Sequence, residues 1–527
     1  MTSFKRIPPL YYAIAVSSLG AIAGTTFSVM AILTIGDIAG GLSVSSDDAA
    51  WFNTLYNVGA ICGLPIVMTM TASLGRGRAM LLAGLFFTLS SIAVALSPHY
   101  EWALVARFLH GFFGGMLPVL MMLMVMTSLF PGKGQLEGMT LFALATSLGI
   151  GLAASIGGYL LAEFGWRWLF WIQALTGLLY TLLCLNVLPD ESGDLEYLLT
   201  KDWPSYIFLS AGLSGLMVVM AEGERRFWLE TWWIPALLLS SLVGLVYGAH
   251  SLWIAQRPLI VLKIFRKPTF AWAIILSLIF RFGTLLAVWI APQYLARMQG
   301  YKVTETGELL LAMVPATLIG FPLAYWLVKQ IDSRIVLSAG LLLFSAAAAF
   351  CIDLAPDWAA DQLRNPILLA GVGQALIQVA LLRYAVFGVG KEEGPTCGII
   401  FNLARLYALL GGLGWVWHLV TEREKYHYAR IAESLGSSDP LVTQRLATQA
   451  GSLSAFVSDG AAAHGLSLAQ LSNSAINQAY TLAYGDAFLV TTVVMFIGAI
   501  LVWALPSLHA APSIPAPRQP ARAEVPL

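Results

Sequence analysis

Apolar residues in this chain fall in long runs separated by polar connectors. Fourteen runs stand out, at roughly 11–35, 49–70, 79–97, 102–129, 139–162, 167–188, 204–221, 232–254, 269–293, 305–328, 335–354, 366–389, 396–420 and 485–505. A helix needs about 20 such residues to cross the hydrocarbon core of a bilayer. In lipid every backbone N–H and C=O must find its partner inside the protein, which favours helices for runs of this length. The pattern predicts an all-α integral membrane protein with fourteen transmembrane helices.

The connectors set the orientation. An even number of spans puts both termini on one face, and Lys and Arg accumulate in short cytoplasmic loops. With the N-terminus inside, the inner segments hold most of the basic residues, among them Lys5, Arg6, Arg76, Arg78, Lys263, Arg266, Lys267, Lys329 and Arg334. The short outer loops and rims hold fewer: Arg167, Arg225, Arg226, Arg297, Lys302 and Arg364. Residues 1–10 are thus expected as a cytoplasmic N-terminus. The proline-rich residues 506–527 are expected as a disordered cytoplasmic tail.

One connector breaks the rhythm. Residues 421–484 form a polar insertion on the outer side, where 2–8 residues join most bundle helices. Asp439-Pro440 reads as a helix start, with Asp as cap and Pro in the first turn. Leu468, Leu471, Ala475, Ala479 and Leu482 recur at steps of three and four, the stripe of a helix. Two loop helices packed on each other would explain the stripe, and so would a face that docks another protein.

Composition narrows the function. The chain is 58% hydrophobic and 11% charged, with 29 Lys+Arg against 29 Asp+Glu. A soluble protein carries about 25% charge. The balance argues against a soluble enzyme, and the lack of basic excess argues against nucleic-acid binding. Cys62, Cys184, Cys351 and Cys397 all lie in apolar runs and form no C-x-x-C, so neither a disulfide nor a metal site is expected. The first apolar run is too long for the core of a cleavable signal. No G-x-x-x-x-G-K-[ST], H-E-x-x-H or G-x-S-x-G occurs, so ATP drive and hydrolase chemistry are not expected. A membrane-embedded transferase would want paired carboxylates or a His-Asp pair at the membrane face, and none is evident. A non-transporting scaffold is the third class, and charges inside the spans weigh against it.

Local motifs then point to a family. Span 4 reads Arg107-Phe-Leu-His110-Gly111-Phe-Phe-Gly114-Gly115. Span 5 carries Gly149, Ala153, Ala154, Gly157 and Gly158, and Gly165-Trp166-Arg167-Trp168-Leu169-Phe170 follows it. Pro258 to Phe265 and Pro292 to Leu295 flank span 9. Together these resemble the major facilitator superfamily, in particular its fourteen-span drug:proton antiporters of the EmrB/QacA type.

The resemblance implies two six-helix bundles, 11–188 and 269–505, with two inserted helices at 204–254. It implies proton-coupled efflux of lipophilic small molecules from the bacterial inner membrane, with no cofactor. It also offers a periplasmic adaptor protein and an outer-membrane channel as partners, with residues 421–484 as the docking element and Leu468, Leu471, Ala475 and Leu482 on the contact face. A substrate-specific exporter or importer of a metabolite or siderophore shares the fold. Gly111, Gly114, Gly115, Gly149, Gly157 and Gly158 would let helices approach closely. Gly75, Arg76 and Arg78 match the family's gating loop, with Ala72 where the family has Asp. Phe27 and Gly36 stand where span 1 of the family commonly has Asp and Pro.

Charges inside spans carry the chemistry. A charge at mid-bilayer costs about 2.5–3.5 kcal/mol on insertion scales. Arg107, Arg281, Arg383 and Arg405 lie within runs, while Asp37, Glu163, Glu308, Asp353 and Asp486 lie near their ends. Four arginines around one cavity would favour anions. Substrate contacts are therefore expected from Arg107, Arg281, Arg383 and Arg405, with Gln374, Gln378, Tyr384 and Asn402 as neutral hydrogen-bonding groups. Proton coupling falls to His110, which titrates near neutrality, with Glu308 and Asp37 as alternatives. Trp51, Tyr56, Trp272 and Trp289 are either cavity walls or lipid-facing rim residues.

Overall fold

The computed structural model describes residues 9–125, 135–185, 193–199, 202–255, 258–390, 393–436, 439–457 and 459–508. Their regular structure is helical, with no strand among them. In chain order the helices are α1 (Pro9–Leu33), α2 (Ile35–Leu42), α3 (Ser46–Leu74), α4 (Arg76–Ala95), α5 (Tyr100–Met124), α6 (Gln135–Ser147), α7 (Gly149–Phe164) and α8 (Trp168–Cys184). Then come α9 (Glu196–Leu199), α10 (Trp203–Glu222), α11 (Trp233–Ile254), α12 (Pro268–Gly283), α13 (Ala291–Gln299), α14 (Val303–Leu311), α15 (Met313–Gln330) and α16 (Ser333–Ala349). The chain continues through α17 (Ala360–Val386), α18 (Gly394–Ser434), α19 (Pro440–Leu453) and α20 (Gly460–Leu501).

Twelve helical segments are long and apolar enough to cross a membrane. The apolar helices α8 and α16, of 17 residues each, stand at the two remaining expected positions. Several spans are jointed. Span 5 is α6 plus α7, meeting at Leu148. Span 10 is α14 plus α15; Pro315, which has no N–H to donate, stands in the first turn of α15. Span 9 runs through α12, a π-helical turn at Leu286–Ile290 and α13. Pro292 cannot donate to the carbonyl of Val288, which leaves room for the wider turn. The expected N-terminal segment 1–10 lies outside the described residues apart from the start of α1, and so does most of the expected tail 506–527.

α1, α3, α4, α5, α7 and α8 pack into one bundle, and α12, α15, α16, α17, α18 and α20 into another. The bundles meet where α7 lies against α14 and α6 against α17. Missing side chains permit these contacts. A Cβ on Gly111 would stand 1.8 Å from the Tyr56 carbonyl oxygen, and one on Gly158 would stand 2.8 Å from the Thr304 Cα across the bundle interface. Ser155 Oγ donates to the Gly307 carbonyl at 2.8 Å in the same interface. Gly114, Gly115, Gly149 and Gly157 likewise face other helices, at Tyr56, Ala60, Thr26 and Met30.

α10 and α11 form a pair closed on small residues, Gly212 and Gly215 against Ser241. α10 touches both bundles. Tyr206 Oη donates to the Cys62 carbonyl of α3 at 2.9 Å, and Tyr407 Oη of α18 donates to the Leu213 carbonyl. α11 turns Leu239, Val243 and Val246 outward.

The face carrying the start of α1 and the end of α20 is called here the termini face, and the opposite one the loop face. On the loop face the expected boundaries 421 and 484 fall inside continuous helices: α18 runs on to Ser434 and α20 begins at Gly460. Asp486 Oδ2 joins them, accepting from Arg423 Nε at 2.6 Å and lying 2.7 Å from His427 Nε2. Asp439 caps α19, its carboxylate accepting from the Leu441 N–H at 2.8 Å. Val442, Leu446 and Leu471 form a small core between α19 and α20. The expected stripe is therefore split. Leu471, Ala475 and Ala479 are buried within the hairpin, so the first two are not free for a partner, whereas Leu468 (54% exposed) and Leu482 face outward.

Candidate functional site

Between the bundles lies a narrow cleft. One side carries Gly24, Thr25 and Ser28 of α1 and Tyr56, Ala60 and Leu64 of α3. The other carries Arg281 and Thr284 beside the π-turn residue Val288, and Asn402, Arg405 and Leu406 of α18. The π turn aims Val288 into this cleft and the next residue, Trp289, into a neighbouring cavity.

Arg281 and Arg405 define the polarity of the cleft. They also line a smaller cavity on its termini-face side, with Phe142, Thr146, Gln378 and Asn402. Gln378, its amide oxygen turned toward Arg281, accepts from Nη2 at 2.8 Å and donates to Ser147 Oγ. Arg281 Nε and Arg405 Nε are buried without partners, and neither side chain pairs with a carboxylate among the described residues. Asn402 Nδ2 is spent on the Gly398 carbonyl at 2.9 Å, which leaves its oxygen for the cavity. Two guanidiniums with no countercharge in a low-dielectric cleft attract an anion strongly.

The other expected site residues stand elsewhere. Arg107 is 0% exposed and caged by Phe52, Tyr56 and Phe170, its guanidinium carbon 4.3 Å from the Tyr56 ring centre. Its Nη1 donates to His110 Nδ1 at 2.9 Å, and His110 Nε2 lies 2.9 Å from Ser91 Oγ. Arginine only donates, so Nδ1 is the acceptor and the ring proton sits on Nε2. A second proton on the ring would set donor against donor. Arg107 and His110 thus form a packing unit inside the first bundle, away from the clefts.

Arg383 sits at the termini end of α17, donating to the Val328 carbonyl at 2.8 Å and Ser333 Oγ at 2.9 Å. Tyr384 Oη donates to the Pro506 carbonyl at 3.0 Å on the same face. Neither lines the cleft or the smaller cavity, although the neighbouring Leu382 does line the latter. Gln374 is buried against Ser147 at the bundle interface. Asp37 and Glu308 are exposed and border none of these cavities. Gly75 takes a φ of 82° to turn α3 into α4, beside Arg76 and the exposed Arg78. Of the four aromatics, Tyr56 and Trp289 line cavities, while Trp51 pairs with Trp233 and Trp272 packs on the core.

Ion clusters lie on both faces. On the termini face Glu137 of α6 accepts from Tyr325 Oη and, at 3.1 Å, from Lys329 Nζ of α15, bridging the bundles. On the loop face Arg225 pairs with Asp47 at 3.3 Å and Arg226 with Asp48 at 3.4 Å, while Glu224 lies 2.7 Å from His418 Nδ1. The α10–α11 connection thereby grips α3 on one side and α18 on the other.

Sequence reasoning missed Glu222, which is fully buried at the end of α10. It follows an uncharged run directly, which was the available signal, but Glu224, Arg225 and Arg226 after it give the segment the look of a solvated rim.

Comparison with known proteins agrees with this architecture. A family model described as Major Facilitator Superfamily matches residues 15–414. Curated relatives include the colistin resistance protein EmrB of Acinetobacter baumannii, 22% identical over 89% of this chain and 91% of that one. They also include the fatty acid resistance protein FarB of Neisseria gonorrhoeae, 23% identical over 92% and 93%. Among solved structures, the proton:xylose symporter XylE superposes with a TM-score of 0.56 at 13% identity, covering 96% of this chain and 97% of that one. The human organic anion transporter MFSD10 does so with a TM-score of 0.53 at 16% identity, covering 93% and 100%. An all-helical pair of bundles around a central cleft, matched by the family model over most of its length, makes this chain a multi-pass membrane transporter of the major facilitator superfamily, and not an enzyme.

Proposed function

We propose that the chain exports lipophilic small molecules, anionic or neutral, in exchange for protons. The observation that carries this is the cleft itself: Arg281 and Arg405 face it with no carboxylate partner among the described residues, between apolar walls. Such a site binds an acid headgroup and an apolar body together. Relatives named for multidrug and fatty acid resistance support outward transport of such compounds. The bundles 11–188 and 269–505 act as the two rocking units, and 204–254 spans them on the loop face. Both termini lie in the cytoplasm of a bacterial cell, so the Glu137–Lys329 cluster is the inner gate and the Asp47–Arg225 cluster the outer one. The outer hairpin of α18, α19 and α20 is the docking element for a periplasmic adaptor leading to an outer-membrane channel. Leu441, Phe456 (88% exposed) and Leu468 supply the apolar contact.

The test uses inside-out vesicles with an acid interior. Anilinonaphthalene sulfonate is a permanent lipophilic anion and ethidium a permanent lipophilic cation. Arg281→Ala and Arg405→Ala are expected to abolish uptake of the sulfonate. If ethidium is the better substrate, and neither variant changes its uptake, the anion reading fails.

A further inference from the structure

Toward the loop face, a second cavity adjoins the arginine-lined cleft. The two share walls one residue apart on α18, Leu409 and Leu410, and two apart on α3, Tyr56 and Thr54. Trp289 and Trp417 close one side of the outer cavity, and Asn53, Thr54 and Glu222 the other.

Glu222 is 0% exposed. Its Oε1 accepts from Thr54 Oγ1 at 2.6 Å, and its Oε2 is buried with no partner among the described residues. The charges facing it are already engaged. From the α10–α11 connection, Arg225 and Arg226 pair with Asp47 and Asp48 of α3, and the Arg225 guanidinium also lies over Trp417. Glu224 accepts from Trp228 Nε1 at 2.6 Å and meets His418 of α18. Tyr100 of α5 donates to the Asp48 carbonyl. Arg225 also lines this cavity, but its charge is shared with Asp47, and burying a carboxylate with one donor and only a shared countercharge is expensive. Oε2 therefore needs an occupant. A metal ion would need several further oxygen ligands, and no group of three His, Cys, Asp or Glu side chains that could hold one occurs among the described residues. A proton needs no room and no further ligand.

We propose that Glu222 is a proton-binding carboxyl of this transporter, loaded on Oε2 from the loop-face cavity; the proposal rests on the proton-exchange reading above. A proton taken from water on the loop face forms the O–H bond on Oε2. That bond breaks, and the proton returns to water, when the bundles rock and open the path past Arg281 and Arg405 to the termini face. The inserted pair then carries the coupling group and is not a passive spacer. Through the Thr54 hydrogen bond, the charge state of Glu222 is felt directly by α3 of the first bundle.

Two measurements on the full chain test this. The first is pH-difference infrared spectroscopy in lipid nanodiscs, without any substrate. Wild type should show the high-frequency carbonyl band of a protonated carboxyl shielded from water. Glu222→Gln, which keeps an acceptor for Thr54, should lose it, and Glu433→Gln on the exposed hairpin should keep it. Thr54→Val, which removes the donor to Oε1, should shift the band, a response that needs no loss of Glu222. An unchanged band in Glu222→Gln overturns the proposal whatever the transport results. The second compares anilinonaphthalene sulfonate uptake driven by a pH gradient with its exchange at equal pH. Glu222→Gln should lose the first and retain the second. Gradient-driven uptake like that of wild type overturns the role of Glu222. If wild-type uptake ignores the gradient, the underlying proton-exchange reading falls, and the coupling role of Glu222 with it.

Discussion

At the scale of single residues, what separates one buried arginine from another is its neighbours. Arg107 and Arg281 look alike in sequence, each the only charge of an apolar run. The partners that distinguish them come from other spans: Phe52, Tyr56 and Phe170 for Arg107, and the cleft between the bundles for Arg281. The charges were legible, and their environments were not. Arg107→Ala leaves a buried imidazole nitrogen unpaired and should lower stability by about 1–3 kcal/mol, measured as a fall in the thermal midpoint of the purified protein. His110→Gln restores an acceptor for Arg107 and a donor for Ser91, so its transport–pH profile should match wild type. A third prediction concerns Asp332, on the termini-face loop. Burial alone would raise its pKa, but Ser507 Oγ, the N–H groups of Arg334 and Leu508 and the Arg334 guanidinium hold it down to about 2. A carboxyl lowered on folding stabilises the fold above its ordinary value near 3.8 and loses that contribution as pH falls toward 2. Asp332→Asn should therefore lower the thermal midpoint at pH 7 and narrow the gap to wild type on acidification.

Elements were the most legible level, because a bilayer imposes length and apolarity on every span. What sequence could not give was continuity past the membrane. The expected loop 421–484 was bounded by loss of hydrophobicity, yet α18 and α20 continue through those boundaries on intrahelical hydrogen bonds, clasped by Arg423, His427 and Asp486. The split of the apolar stripe makes a clear prediction. Leu471→Asp should loosen α19 from α20, seen as faster hydrogen exchange over 440–453. Replacing Leu441, Phe456 and Leu468 with Ser should leave exchange unchanged and abolish co-purification of the proposed adaptor and whole-cell resistance, while proteoliposome transport persists. Co-purification that survives these changes would make the hairpin a self-packed cap over the outer mouth. Pro292→Ala restores the donor that the π turn lacks. It should turn Val288 and Trp289 away from their cavities and weaken transport more than stability.

At the scale of the whole molecule three layers join: ion pairs on both faces, an arginine-lined cleft between the bundles, and a buried carboxyl on the inserted pair beside it. The all-helical class and the superfamily were readable from span length and motif resemblance. The cleft was readable only in part: of the eight expected substrate contacts, Arg281, Arg405, Gln378 and Asn402 come together, while Arg107, Gln374, Arg383 and Tyr384 do not. Orientation is checked by a fluorescent reporter that is inactive in the periplasm, which should be bright when fused after Leu527 and dark when fused near Ser458. The most direct test of the central claim is uptake by inside-out vesicles with an acid interior, measured for anilinonaphthalene sulfonate and ethidium side by side. The account expects the sulfonate to accumulate, to stop when the pH gradient is collapsed, and to be lost in Arg281→Ala. Gradient-independent uptake, or accumulation of ethidium in preference to the sulfonate, would contradict it.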